Sequence, residues 1–203
     1  MEFLVTTTIH VPEGTPPDEA EGVRAAEAAR SRELAMKGHL RRMWRLPLQS
    51  GYRSIGLFAA DDRGRLDEVL SSMPGRIWRT DEVTALGAHS GDPPRAGIAS
   101  VPGKGPEYLI TTTVTVPPNT PSDVVDFTTA REAVRERDLA ARGHLVRIWA
   151  LPTTPDGTRT VGVWRARDPG DLMAVLESLP LSGWMTIETT PLSPHPDDPV
   201  RFL

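Results

Sequence analysis

The sequence predicts an α+β protein built from two copies of one βαββαβ unit, and three observations carry this. First, Glu2-Phe3-Leu4-Val5-Thr6-Thr7-Thr8 returns as Glu107-Tyr108-Leu109-Ile110-Thr111-Thr112-Thr113, and Gly38-His39-Leu40-Arg41-Arg42-Met43-Trp44 returns as Gly143-His144-Leu145-Val146-Arg147-Ile148-Trp149. The offset is 105, becoming 106 after a one-residue insertion near Asp156. Second, alternating and helically spaced apolar segments follow one another in the same order in both copies. Third, a Gly-, Pro- and Ser-rich stretch without hydrophobic period separates them. The expected organisation is a first repeat at 1–89, a linker at 90–106, a second repeat at 107–196 and a Pro-rich, extended tail at 197–203.

Each element has a local reason. Phe3 to Val11 alternates, with Phe3, Val5, Thr7, Ile9 and Val11 on one face and Leu4, Thr6, Thr8 and His10 on the other. Thr15-Pro16-Pro17-Asp18 and Thr120-Pro121-Ser122-Asp123 read as helix starts: Thr as N-cap, Pro at the first helical position, acid in the first turn. The long helices that follow end at Gly38 and Gly143, where Gly takes the left-handed cap conformation. Leu40 to Leu46 reads as a strand stopped by Pro47, and Tyr52 to Ala59 as another. Leu66, Val69, Leu70 and Met73 mark a short helix ending at Pro74. Its counterpart opens at Asp168-Pro169 with Leu172, Val175, Leu176 and Leu179. Ile77 to Leu86 and Trp184 to Thr190 close the two copies as strands.

The βαββαβ order is the ferredoxin-like split unit, with both helices on one sheet face. The bare face must meet water or another sheet. Two units in one chain therefore predict a pseudo-twofold dimeric α+β barrel, sheet against sheet. In the second strand one face is the same in both copies: Leu40, Arg42, Trp44 and Leu46 against Leu145, Arg147, Trp149 and Leu151. The other face drifts, and it is apolar in copy two, as packing under helices requires. The unchanged face is thus expected to line the hollow between the sheets, together with Leu4, Thr6 and Thr8. A guanidinium there is costly unless paired. Arg42 and Arg147 read either as anchors for a substrate carboxylate or as internal ion pairs with an acidic residue of either repeat.

Composition narrows the function. A formal net charge of −4 gives no electrostatic case for nucleic acid. Cysteine is absent, which removes thiol nucleophiles and thiolate metal sites. No segment carries phosphate-loop, dinucleotide or metal-ligand spacing, so no cofactor and no metal are expected. No signal peptide and no membrane span is expected either, and the default location is cytoplasmic.

Spaced single residues complete the reading. Phe3 with its alternating strand and Pro12, Glu27, Gly38, Trp44-Arg45, Leu70 with Pro74, and Leu86-Gly87-Ala88-His89 together resemble the muconolactone delta-isomerase family. Copy two keeps Glu132, Gly143, Trp149, Leu176, Pro180 and Leu192-Ser193-Pro194-His195-Pro196. The resemblance implies a ferredoxin-like fold, multimers of one-repeat subunits, and a cofactor-independent shift of a ring double bond in an unsaturated lactone of aromatic catabolism. It admits a small-molecule substrate and a homo-oligomer. This chain differs in fusing two copies and in carrying His39 and Arg42, which leaves the substrate more open than the fold.

Such a shift needs a base for an activated C–H, a donor for the enolate oxygen, and return of the proton to another carbon. Glu27 and Glu132 match the family's helix Glu and are candidate bases. Each also has an Arg three residues on, Arg30 and Arg135, the spacing of a surface ion pair. His39 and His144 are candidate proton carriers, or imidazoles bonded to carbonyls at a helix end. Trp44 and Trp149, with Thr6, Thr8, Thr111 and Thr113, are candidate substrate contacts. The tryptophans also fit a core. His89 and His195 read either as closing over a cavity or as surface loop residues. The leading expectation is an isomerase-like enzyme. A cyclase or isomerase acting on a larger polyketide-like substrate and a non-catalytic binding or assembly protein are the alternatives.

Overall fold

The computed structural model describes residues 1–47, 52–99 and 105–202; residues 100–104 of the expected linker and Leu203 of the expected tail lie outside these. The chain forms two units, Met1–Leu86 with Ser193–Leu203, and Gly87–Leu192. Each is a ferredoxin-like α+β unit. Unit 1 contains β1 (Glu2–Ile9), α1 (Pro17–Met36), β2 (Leu40–Arg45), β3 (Tyr52–Ala59), α2 (Arg63–Ser71) and β4 (Arg79–Leu86). A 3-10 turn, Pro74–Trp78, leads into β4. Unit 2 contains β5 (Glu107–Val114), α3 (Ser122–Ala141), β6 (Leu145–Thr154), β7 (Gly157–Arg165), α4 (Pro169–Glu177) and β8 (Met185–Pro194). The strands are antiparallel, in the order β4-β1-β3-β2 in unit 1 and β8-β5-β7-β6 in unit 2. Among the described residues no helix is long and apolar enough to cross a membrane.

The helix-covered face of each sheet holds a core. Phe3, Val5, Leu40, Phe58, Leu66 and Leu70 pack together in unit 1, and Tyr108, Ile110, Leu145, Trp164, Leu172 and Leu176 in unit 2. The two short helices start alike. Asp62 accepts from the Arg65 N–H, and Asp168 from the Asp171 N–H, each at 2.8 Å. Gly38 and Gly143 stand at φ 74° and 79°, the left-handed conformation that ends α1 and α3.

Two expectations are corrected. Thr15 and Thr120 do not cap the long helices. Their hydroxyls donate to Pro12 O and Pro117 O at 2.7 Å, while Pro16 and Pro121 occupy the cap positions. The three-residue reach back to a carbonyl closes a tight turn that takes the hydroxyl first. Second, Leu40 and Leu145 do not share a face with Arg42 and Arg147. A bulge between Leu40 and Arg42, and another between Leu145 and Arg147, shifts the register by one residue. Leu40 and Leu145 therefore join the helix-side cores. Arg42 and Trp44 stand across from Leu57 and Ile55, on the face away from the helices.

The segments that follow each repeat's last strand are built into the units. In unit 1, Pro194 pairs with Trp44 and Ser193 with Arg45. Asp198, only 3% exposed, accepts from the Arg42 Nε at 3.2 Å and the Met43 backbone N–H at 3.0 Å. In unit 2, Asp92, 2% exposed, accepts from the Arg147 Nε at 2.8 Å, its Nη2 at 3.1 Å and the Ile148 N–H at 3.2 Å. Each guanidinium also lies over the Trp two residues on, at 4.6 Å for Arg42–Trp44 and 4.5 Å for Arg147–Trp149. Of the two readings of these arginines, the structure displays the internal ion pair.

An acceptor this buried cannot be removed cheaply. Asp198→Ala and Asp92→Ala should each destabilise by about 3 kcal/mol in urea unfolding, because each takes away a buried carboxylate that an arginine and a backbone N–H share; a loss indistinguishable from zero would show that neither pair holds its segment.

Candidate functional site

A cavity of about 730 Å³ opens on the helix side of the unit 1 sheet. The sequence reading expected the hollow on the opposite face, lined by Arg42, Trp44, Thr6 and Thr8. The unit 1 cavity is a different one, lined by α1, by the helix-facing residues of β1, β2 and β3, by the turn before β4, and by His195 to Asp197. Small residues on α1 and the sheet leave the room: Ala28 and Ser31 on the helix, Ser54 and Gly56 on β3. Phe58 folds back over Gly56 so closely that a Cβ there would stand 2.5 Å from the ring. The rest of the wall is largely apolar, including Ile9, Val23, Met43, Met73 and Trp78.

One polar network enters this space. The Glu27 carboxylate accepts from Arg79 Nη1 at 2.8 Å and from the Gly75 backbone N–H at 2.7 Å. Arg79 is 5% exposed at its side chain. It also donates through Nε and Nη2 to Asp81 Oδ1 at 2.9 and 2.7 Å, and through Nη2 to Thr7 Oγ1 at 2.9 Å. The Thr7 hydroxyl in turn donates to Asp81 at 2.6 Å. Glu27 therefore does not form the expected helix-surface pair with Arg30, which turns to Glu33 and Ser72. Arg135 likewise turns to Asp138 and Ser178.

His195 is 7% exposed on the same wall. Burial pushes its pKa down to about 4, with Asp197 opposing and the Arg45 charge reinforcing the shift. The ring is neutral at pH 7. Its Nδ1 accepts the Asp197 N–H at 3.0 Å, which assigns the ring proton to Nε2.

The other expected site residues lie elsewhere. His39 Nδ1 sits 3.2 Å from Ala59 O, and His144 Nδ1 3.0 Å from Arg165 O, at the ends of α1 and α3. Thr6 and Thr8 fall on the sheet face away from the helices, with Thr111 and Thr113 at the matching positions of β5. None of these residues lines the unit 1 cavity, and neither do Arg42, Trp44, Arg147 or Trp149.

Unit 2 rebuilds the corresponding region differently. Glu132 keeps its backbone donor, the Leu181 N–H at 2.9 Å. The positions of Arg79 and Asp81 are Met185 and Ile187, so the cation is gone. Three other positions are enlarged, Ser31 to Glu136, Phe58 to Trp164 and Gly75 to Leu181, and all three larger side chains are buried. Burial raises the Glu132 pKa. Burial first, then the Glu132 charge, raise Glu136 to about 7, against a smaller opposing pull from Arg137. Glu136 packs on Gly91, where a Cβ would stand 2.2 Å from its Oε2. The imidazole of His89, which accepts the Gly91 N–H at 3.1 Å, is also depressed by burial, against the Asp92 charge.

The residues that sequence comparison missed are Arg79, Asp81, Thr7, Asp92 and Asp198. Asp92 and Asp198 carried a usable signal: they are related by the same 106-residue offset as His89 and His195.

These features define a tandem ferredoxin-like protein with an apolar cavity and an ion-paired carboxylate at its wall. The chain belongs to the muconolactone delta-isomerase family, whose model matches residues 1–92 and 107–198. It is 33% identical over 89 residues to the Muconolactone Delta-isomerase of Acinetobacter baylyi, an alignment that covers 44% of this chain and 91% of the relative. One relative thus corresponds to one repeat. Over 95% of its length the chain also shares its fold with a heme-binding protein from Thermus thermophilus (92% of that chain, 10% identity, TM-score 0.56). A chlorite dismutase from Candidatus Nitrospira defluvii is similar over the same share (91% of that chain, 12% identity, TM-score 0.58). At such identities the likeness is one of fold alone.

The Glu136 shift has a definite sign. A carboxyl whose folded pKa lies above its usual 4.5 binds its proton more tightly when folded. Its contribution is complete below 4.5 and is lost as pH rises to about 7. Glu136→Gln should therefore be nearly neutral at pH 4.5. At pH 8 it should stabilise by about 3 kcal/mol in urea unfolding. A gain of equal size at both pH values would remove the titration as its cause.

Proposed function

We propose that this chain is a cofactor-independent, isomerase-like enzyme that moves a proton and a double bond in an unsaturated lactone or related carbonyl compound, working in the unit 1 cavity. The observation that carries the reading is Glu27, held by Arg79 and the Gly75 N–H at the wall of an apolar cavity in a chain of this family. The substrate is a small molecule.

The chemistry follows from the groups present. The Glu27 carboxylate removes a proton from a carbon activated by the conjugated carbonyl. The C–H electron pair moves into the ring, and charge gathers on the carbonyl oxygen as an enolate. The neutral His195 donates its Nε2–H toward that oxygen without changing charge. Glu27 then returns its proton to a different carbon as the enolate electrons collapse, and the double bond has shifted with nothing gained or lost. Arg79 is a positioning residue. Its contacts with Asp81 and Thr7 fix the guanidinium, which fixes the carboxylate. Arg42 and Arg147 act as structural clamps in this reading.

Removing a general base costs about 10²–10⁴-fold in rate. Glu27→Gln should lower kcat on muconolactone by that range in a spectrophotometric progress-curve assay, with an unchanged circular dichroism spectrum. Glu132→Gln should leave most of the rate. Full activity in Glu27→Gln would refute the assignment.

A further inference from the structure

We infer that the unit 1 cavity is built for a substrate larger than a single lactone ring: a mostly apolar, multi-ring compound with one carbonyl presented to Glu27 and His195. This rests on the isomerase-like reading for the roles of those two groups, and on the cavity itself for the size and chemistry of the ligand.

Cavities that bury drug-sized ligands measure about 300–1,000 Å³, and this one, at about 730 Å³, lies in the upper half of that range. A five-membered lactone with a short side arm would leave most of it to water. That water would lie against Ile9, Val11, Val23, Met43, Met73 and Trp78, which offer it few partners. An apolar body would displace it and cover those side chains. Polar groups are few. Arg79 is committed to Glu27, Asp81 and Thr7, and Asp197 faces Arg32 at 3.6 Å. Short hydroxyls, Ser31 and Ser54, stand beside Glu27 and His195, and His10, Arg24 and Arg45 also reach the wall. Such a wall positions one carbonyl and grips the remainder by shape.

The second copy provides the contrast within the same molecule. At the positions of Ser31, Phe58 and Gly75 it carries Glu136, Trp164 and Leu181, all buried. The first copy retains small residues at two of these positions and the smaller aromatic at the third, and that difference opens its cavity.

The test uses the full chain and fluorenone, a neutral three-ring ketone, in isothermal titration calorimetry. Fluorenone should bind with one site per chain and a Kd on the order of 10 μM. Val23→Trp, which fills the cavity from α1, should weaken binding at least about tenfold. Met173→Trp, on the exposed surface of unit 2, should leave it unchanged. Turnover of muconolactone without measurable fluorenone binding would overturn the size inference and leave the isomerase reading standing. Fluorenone binding that Val23→Trp does not weaken would also overturn it, since the ketone would then sit elsewhere. Binding that Val23→Trp weakens, in a chain that isomerises no lactone, would support the inference and reject the reaction.

Discussion

A buried aspartate that follows the last strand of each repeat is the constraint on which the molecule depends. Asp198 and Asp92 each receive an arginine and a backbone N–H from a second strand, and each arginine lies over a tryptophan. The carboxylate satisfies the guanidinium, the indole face shields it, and the backbone donor sets the register of the incoming segment. In unit 1 this clamp has a chemical consequence. His195 to Asp197 form part of the cavity wall, and they lie directly before the anchored Asp198.

The cavity depends on a second balance, between size and charge beneath the long helix. In unit 1 a carboxylate under α1 is met by Arg79, which is itself met by Asp81. One guanidinium is shared by two carboxylates, and hydrogen bonds from the Thr7 hydroxyl and the Gly75 N–H help hold the carboxylates beside apolar walls. In unit 2 Met185 stands at the cation's position, burial raises the Glu132 pKa, and burial with the Glu132 charge raises that of Glu136. The same helix position thus carries an ion pair in one copy and a carboxyl inclined to neutrality in the other.

Much of the fold was legible because it rests on local signals. Alternation marked the strands, Gly38 and Gly143 ended the long helices, and Asp168 opened the second short one. The repeat then fixed the element order twice over. The face assignment of Leu40 failed because a one-residue bulge reverses parity without any trace in composition. The site was harder for a different reason. Comparing copies finds what both retain, and it led to Arg42, Trp44 and His39, which make matching contacts in both units and do not line the unit 1 cavity. Arg79 and Asp81 occur in one copy only, so the comparison discarded them. Glu27 was legible through family resemblance, but its partner lies 52 residues away, beyond the reach of helix spacing rules.

The difference between Ser31 and Glu136 has a consequence for how this molecule can evolve. In an assembly of identical subunits, one codon change appears in every cradle at once, and a carboxyl that ruins one ruins all. Covalent fusion removes that lockstep. Each long helix is encoded separately, so the position of Ser31 can stay small while that of Glu136 is filled, and the chain need not pass through a form that lacks both cradles.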